Sequence, residues 1–354
     1  MTADGVAGSG QRVTFCISKT PFRISFFGGG TDYPLWYRRE GGAVLSVTID
    51  KYCYISCRWM PPFFAQRHRV VWSHIETVSS ISEILHPAVR AGLQMLGFTD
   101  QKGIEIHHHS DLPARSGMGS SSAFAVGLLN ALHTLRGGTA SKRDLYLQAI
   151  ELEQERLKEN VGSQDQVACA VGGLSLIHFD TDGRIRVEPL ALAEERQEQL
   201  NRKLMLFYTG TSRLATEVAA KVIACLDSRE EALRQMRRLV DEAAGLLRSG
   251  APLDLFGKML HETWLLKRSL SSVISNDRID EIYTTAHAAG ALGGKLLGAG
   301  ASGFMLFYAP ESRQPAVRQA LQGLLEVPLH FESEGSAIIH WPETRQTRPL
   351  VALA

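Results

Sequence analysis

The chain has 354 residues, 44% of them hydrophobic and 21% charged, with a formal net charge of +1. That length and balance suit about two globular domains and give no basic field for nucleic acid and no acidic one for a cationic partner. No apolar run approaches the roughly 20 residues of a bilayer span, so neither nucleic acid nor membrane is expected among the partners.

Residues 1–12 are small and polar and read as a flexible N-terminal tail, without the apolar stretch of a signal peptide. Val13 to Ser18 alternates apolar and polar residues, as a strand does. It leads into Lys19-Thr-Pro-Phe-Arg-Ile-Ser-Phe-Phe-Gly-Gly-Gly-Thr-Asp-Tyr33. The three glycines predict a sharp turn, and Asp32 just beyond it is either a turn former or a carboxylate presented to a ligand. Residues 43–49 and 52–59 are two β-rich runs, and Asp50-Lys51 between them predicts a hairpin. A short helix near 87–96 and a strand over 104–109 follow, the strand ending in His107-His108-His109. The middle histidine faces away from its neighbours, and no carboxylate or cysteine cluster is in register, so the triplet is read as structural or surface. Five scattered cysteines, an odd number, read as reduced core residues of a cytoplasmic protein.

Pro113-Ala-Arg-Ser-Gly-Met-Gly-Ser-Ser-Ser-Ala123 then precedes an apolar helical run from Phe124 to Leu135. Its glycines allow tight turns, and its serines suit a helix start whose free amides attract a phosphate. The Gly-Lys-Ser/Thr ending of a Walker A loop is missing. Ser141 with Asp144 starts a predicted helix running to about 160. After it comes Val161-Gly-Ser-Gln-Asp-Gln166, with apolar residues directly behind, so Asp165 is expected to be partly buried and to work as a catalytic carboxylate. A charged helix near 194–199 marks the boundary between two halves, and a strand over 203–208 ends at Thr209-Gly-Thr-Ser-Arg213. Helices follow from Ser228 (Glu231 its box partner, Gly250 its stop), over 252–270 and over 277–290. Gly293-Gly-Lys-Leu-Leu-Gly-Ala-Gly-Ala-Ser-Gly303 places five glycines in eleven residues before a strand at 304–308. Such a stretch is either a structural crossover or a wall-less backbone surface for a phosphate-bearing ligand.

These three glycine-rich elements, in this order, resemble the GHMP kinases. Pro21-x-Arg23 with Gly28 and Asp32 resembles the family's first motif, residues 113–123 its phosphate loop, and Gly298-Ala-Gly-Ala-Ser-Gly303 its third motif. Phe-Phe-Gly-Gly-Gly-Thr-Asp-Tyr-Pro and Asp165-Gln166 are most similar to the sugar 1-kinase branch, within it the D-glycero-D-manno-heptose 7-phosphate kinases and the kinase halves of fucokinases. Gly29-Gly30 stand where galactokinases carry Glu-His, which argues against galactose itself, while a fucokinase- or galactokinase-like enzyme stays an alternative.

The resemblance implies an α+β fold of two domains, 13–195 and 196–354, with the active site in the cleft between them. It implies transfer of phosphate from ATP, with Mg2+, to the anomeric hydroxyl of a sugar, the heptose 7-phosphate first, in the synthesis of surface polysaccharide. Free monosaccharides and a silent sugar and nucleotide sensor are the alternatives, and homo-oligomerisation is left open. Asp165 is carried over as the base and Arg23 as its cationic partner. Arg115, Ser116, Gly117, Met118, Gly119, Ser120 and Ser121 are expected around the ATP phosphates, with Gly298, Gly300 and Gly303 near them. Thr31, Asp32 and Tyr33 are expected to hold the sugar, and Arg213 its distal phosphate, with Lys267 and Arg268 behind it. For Mg2+ the family register gives Ser121, with Ser120 as alternative, and Glu155, with Glu153 and Glu159 as competitors.

Overall fold

The computed structural model describes residues 13–210 and 215–340; the expected N-terminal tail and Arg213 lie outside them. The first half runs β1 (Phe15–Phe27), α1 (Pro34–Glu40), β2 (Gly42–Trp59), β3 (His68–Val71), β4 (Ile75–Val78), α2 (Pro87–Met95), β5 (Ile104–Ser110) and α3 (Ser120–Leu135). It continues through α4 (Lys142–Ile150), α5 (Gln164–Val171), β6 (Leu174–Phe179) and β7 (Ile185–Pro189). The second half comprises α6 (Glu194–Arg202), β8 (Leu204–Tyr208), α7 (Ala215–Ile223), α8 (Glu230–Ser249), α9 (Asp254–Leu270) and α10 (Asp277–Ala288). After these come β9 (Gly293–Leu296), β10 (Phe304–Tyr308), α11 (Gln314–Ala320), β11 (Leu325–Glu326), β12 (Phe331–Glu332) and β13 (Ala337–His340).

Among the described residues a nine-stranded sheet is built on β2, which pairs β1 along one edge and shares its other edge between β6, β12 and β5. The hairpin expected at Asp50-Lys51 is not there: β2 is one strand of 18 residues. Pro21 of β1 stands opposite Tyr52 and Phe22 opposite Ile49, so residues 50 and 51 are a bulge in an unbroken strand. Proline brings no N–H to the ladder, and a polar pair bulging there leaves both flanks paired. The four-stranded sheet β11-β8-β10-β9 is antiparallel throughout.

The apolar run after the serine loop becomes α3, buried on nearly every side. It lies on β1 closely enough that a Cβ at Gly127 would stand 2.9 Å from the Thr20 hydroxyl, and Ser18 donates to the Gly127 carbonyl at 2.8 Å. This contact fixes the axis of α3 and aims its N-terminus at the cleft. The two halves meet through backbone: a Cβ at Gly298 would lie 2.4 Å from the Gly117 Cα, and one at Gly303 would lie 2.2 Å from the Ser116 carbonyl oxygen. Helices over a mostly antiparallel sheet, in which only β3 and β5 pair parallel among the described residues, and a second antiparallel one agree with the α+β class expected. A division near 195/196 remains our proposal, with β12 and β13 returning from the second half to β2 and β1 of the first.

Some local signals act differently from expectation. Ser141 caps α4, accepting from the Asp144 amide at 3.1 Å, and Gly250 ends α8 with φ 72°. The box expected at Ser228 and Glu231 is not made, because Arg229 takes the N-cap position after a 3-10 turn.

Candidate active site

The cleft holds a cavity of about 850 Å³ lined by residues from both halves. On one side the loop before α3 turns through positive φ at Arg115, Gly117 and Gly119. Gly117 can be no other residue, since a Cβ there would come 2.5 Å from the Leu297 carbonyl oxygen. The Ser120 hydroxyl accepts from the Arg115 amide at 3.1 Å and closes the loop. The first amides of α3 have no acceptor within the helix, and the helix dipole adds partial positive charge there, which together form an anion site. Of the seven residues expected around the phosphates, Arg115, Gly117, Gly119, Ser120 and Ser121 line the cavity. The side chains of Ser116 and Met118 turn into the protein, which leaves only their backbone to face a phosphate. Their carbonyls anchor the loop instead, Ser116 accepting from the Phe304 amide at 3.2 Å and Met118 from the Arg23 amide at 3.1 Å.

Arg23 and Asp165, 142 positions apart, form a bidentate pair at 2.7 and 2.6 Å. Arg23 also donates to the Gly117 carbonyl at 2.8 Å, which ties the pair to the phosphate loop. Arg23 is 3% exposed. The forked guanidinium geometry fixes the carboxylate plane and supplies a cation where an anion must sit. Asp165 lies in the first turn of α5.

Asp32 is buried, and its carboxylate accepts from the Gly30 amide at 2.9 Å and the Gln164 amide at 3.3 Å. Burial raises its pKa, and the charge of Asp165 adds to that. Tyr33 lines the cavity beside it, its phenol pushed up chiefly by burial. Thr31 is a correction. Its hydroxyl donates to the carbonyls of Gly28 and Ala43 at 2.8 and 3.0 Å, so it locks the glycine turn instead of facing a ligand. A Cβ at Gly162 would stand 1.8 Å from Asp32 Oδ2. Gly162→Ala is therefore expected to displace Asp32 and weaken about tenfold or more the binding of a ligand held by that carboxylate, with an anion at the start of α3 bound as before, since small misplacements of a positioning group are costly. Calorimetry with each ligand in turn checks this; a loss confined to the anion contradicts it.

The carboxylate beside Ser121 is Glu153, and Glu155 is a correction. Glu155 is exposed, whereas Glu153 is 1% exposed and accepts from the Ser121 and Ser122 hydroxyls, each at 2.7 Å, and from Gln166 at 2.5 Å. The reason lies in the helix: residues Glu151–Arg156 form a π-helical turn, which widens the repeat and rotates the inward face from that of the predicted α-helix. Burial raises the Glu153 carboxyl to about 7, with Glu159 adding and the serine hydroxyls opposing. One buried carboxylate with serine hydroxyls is a hard oxygen set of the kind Mg2+ takes when phosphates and waters complete its shell. No group of three or more His, Cys, Asp or Glu suited to a metal occurs among the described residues. The residues therefore fit a cation shared with a phosphorylated ligand, with Glu153 and Ser121 as its protein side.

The third glycine motif divides in role. Gly298 lines the cavity. Gly300 and Gly303 are corrections, serving close packing, Gly300 against Ile274 and Gly303 against the Ser116 carbonyl. Lys267 is buried and donates to the carbonyls of Leu296 and Gly298 at 2.7 and 2.6 Å. Arg268 points away to Asp280 at 2.6 Å.

One end of the cavity is an aromatic wall that sequence reading does not single out, because its members come from four separate elements. Rings of His86 and Phe124 stack at 4.7 Å, Trp72 meets His86 at 4.8 Å, and His108 meets Phe124 at 5.0 Å. Buried Glu76 holds the wall, accepting from the Trp72 indole at 2.8 Å and the His86 amide at 3.1 Å. Burial lowers His108 to about 4, so it stays neutral, and a flat uncharged surface suits a planar ring. The middle histidine of the triplet thus faces the cavity, while His107 pairs with Glu105 at 2.8 Å.

The family model described as GHMP kinases N terminal domain matches residues 83–173, and GHMP kinases C terminal matches 243–326. The chain is 28% identical over 335 residues to a D-glycero-alpha-D-manno-heptose 7-phosphate kinase of Campylobacter jejuni, covering 90% of this chain and 97% of that one. It is 26% identical over 324 residues to the bifunctional fucokinase/GDP-fucose pyrophosphorylase of Arabidopsis thaliana, covering 85% of this chain and 30% of that protein. A solved D-glycero-D-manno-heptose 1-phosphate kinase from Bacteroides thetaiotaomicron superposes with a TM-score of 0.75 over 93% of this chain and 99% of that one, at 23% identity. With both domain models matched in order and the cleft built from the same three glycine elements, the chain belongs to the GHMP kinases.

Proposed function

We propose that the chain transfers the γ-phosphoryl group of ATP to the anomeric hydroxyl of a sugar, with D-glycero-D-manno-heptose 7-phosphate as the acceptor and the 1,7-bisphosphate as product. The observation that carries this reading is the Arg23–Asp165 pair tied to the loop at the N-terminus of α3, inside one cavity. Similarity to the Campylobacter jejuni heptose 7-phosphate kinase across 97% of its length supports the choice of sugar.

Phosphoryl transfer asks a protein mainly for positioning and charge stabilisation. Amides at the start of α3 and the loop hold the β- and γ-phosphates, and the aromatic wall takes the base. Glu153 and Ser121 would hold Mg2+, which would supply charge neutralisation for the phosphates. Asp32 orders sugar hydroxyls, with Tyr33 closing that wall. Asp165 accepts the proton of the anomeric hydroxyl, which is more acidic than an ordinary alcohol, so a carboxylate suffices. Arg23 orients Asp165 and faces the charge that develops on the transferring group.

ADP release measured over a panel of sugars tests the reading. The highest kcat/KM is expected with heptose 7-phosphate. A preference for fucose or another free monosaccharide would move the chain to the fucokinase-like branch, and no ADP release with any sugar would leave a silent binding protein.

A further inference from the structure

The cavity carries two buried lysines that the proton-transfer machinery does not use. Lys267 on α9 and Lys295 on β9 are 8% and 2% exposed, and both line the cavity. Among the described residues their ammonium groups rest on carbonyls: Lys267 on Leu296 and Gly298 at 2.7 and 2.6 Å, Lys295 on Phe26 at 2.9 Å. An ammonium has three donors, so one N–H of Lys267 and two of Lys295 remain. The charged groups facing the pair are Arg23, Asp32 and Asp165, and Arg23 already engages Asp165. Arg23 and the two lysines thus face two carboxylates across one cavity, an arrangement that favours an incoming anion. Burial, then repulsion from Arg23, lowers Lys267 to about 7; burial, then repulsion from Lys267 and Arg23, lowers Lys295 well below the ordinary lysine range; an anion beside them offsets that repulsion.

Two further groups point to a ligand in the same place. Ser25 Oγ and Gln164 Oε1 are buried atoms without a hydrogen-bond partner among the described residues, and both side chains belong to the cavity wall. They flank Gly29, where a Cβ would lie 3.5 Å from each side chain. Ser25 shares the face of β1 with Arg23, about 7 Å further along at two residues of strand rise. The same cavity wall thus carries Arg23 and Asp165, the oxygens of Ser25, Gln164 and Asp32, and the lysine pair, with Lys267 on the Gly298 carbonyl. That set of groups suits a molecule that brings a hydroxyl, polyol oxygens and an anion.

We propose that Lys267 and Lys295 form the subsite for an anionic group carried by the acceptor, a phosphate monoester, and so make the enzyme selective for a sugar phosphate over the free sugar. The proposal rests on the sugar-kinase reading above and places the distal phosphate on these lysines instead of Arg213.

The test is calorimetric binding and steady-state kinetics with heptose 7-phosphate and with the unphosphorylated heptose, on wild type, Lys267→Met and Lys295→Met. Methionine keeps the volume of the buried stem without leaving an uncompensated charge. Wild type is expected to favour the phosphorylated sugar about a hundredfold, and each variant to lose about tenfold or more of that ratio, as charged hydrogen bonds do when removed. Lys295→Arg should restore part of the ratio. Loss of kcat on both sugars alike, with the ratio intact, overturns the subsite and makes the lysines contacts of the transferring phosphoryl group. Wild-type turnover of a free sugar with no gain from its phosphate also overturns the subsite, yet leaves the sugar-kinase reading standing. No turnover on any sugar overturns the sugar-kinase reading itself; calorimetry then decides the subsite separately, retained wild-type preference for the phosphorylated heptose that collapses in the variants supporting it and absence of that preference refuting it.

Discussion

Asp165→Asn is expected to lower kcat by about two to four orders of magnitude, the range of a positioned general base, with ATP affinity retained. The amide keeps the shape of the carboxylate and one acceptor oxygen toward Arg23, but it has neither the charge nor the basicity to take a hydroxyl proton. In the reading proposed above ATP is held elsewhere, at the loop from Arg115 to Ser121 and the aromatic wall, so binding measured by calorimetry should barely move. Loss of one partner leaves the buried Arg23 charge without its counter-ion, and such losses are destabilising. Thermal melting must therefore accompany the kinetics, and activity be compared well below the transition. Arg23→Lys sharpens the interpretation: a lysine retains the charge but cannot make the two-pronged contact at 2.7 and 2.6 Å, so it should lose activity through orientation while keeping its phosphate preference. A folded Asp165→Asn enzyme with kcat within tenfold of wild type would remove Asp165 from proton transfer and leave it a positioning group for Arg23.

The sequence makes the chemistry easier to read than the geometry around it. Arg23, Asp32 and Asp165 each stand next to a glycine-rich or turn-forming stretch, and short-range signals of that kind survive without knowledge of the fold. The phosphate loop is legible for the same reason, since φ angles of 83° and 75° at Gly117 and Gly119 demand glycine whatever surrounds them. Glu153 is hidden because its recognition depends on helical phase. An α-helical wheel drawn through residues 151–159 leaves Glu153, Glu155 and Glu159 in competition, and the π-helical turn brings Glu153 to Ser121 and Ser122. The aromatic wall is hidden because Trp72, His86, His108 and Phe124 come from separate elements, and nothing local says that a lone aromatic faces a cavity instead of a core. Ser25 could have been found by spacing, two residues after Arg23 on a strand. The unbroken β2 defeats the turn reading of Asp50-Lys51 because pairing along both flanks outweighs a local preference. Lys295 is the instructive case: it sits inside the five-glycine stretch, where attention goes to the glycines and the one charged side chain passes as a solvated residue.

Glu153→Gln should weaken the Mg2+ dependence of ATP binding and turnover by about a hundredfold, at the upper end of what loss of a tuned metal-site carboxylate costs. Glu155→Gln, on the exposed side of the same turn, should change both by less than about twofold, as surface substitutions do. The comparison isolates helical phase, since the two residues are two apart and chemically identical. The sign of the pH effect follows from the raised Glu153 carboxyl. Without a cation it binds a proton up to about pH 7, so a metal arriving below that pH must displace the proton. Apparent Mg2+ affinity is then expected to fall about tenfold for each unit below 7 and to be flat above it. In Glu153→Gln the step near 7 should vanish together with the tight Mg2+ dependence, which separates it from titration of the ATP phosphates themselves. Mg2+ titrations of ATP binding by calorimetry between pH 5.5 and 8.5 measure both quantities on the same samples. Should Glu155→Gln match Glu153→Gln in either, the carboxylate assignment passes to the exposed residue, and the serine hydroxyls at 2.7 Å would mark a purely structural glutamate.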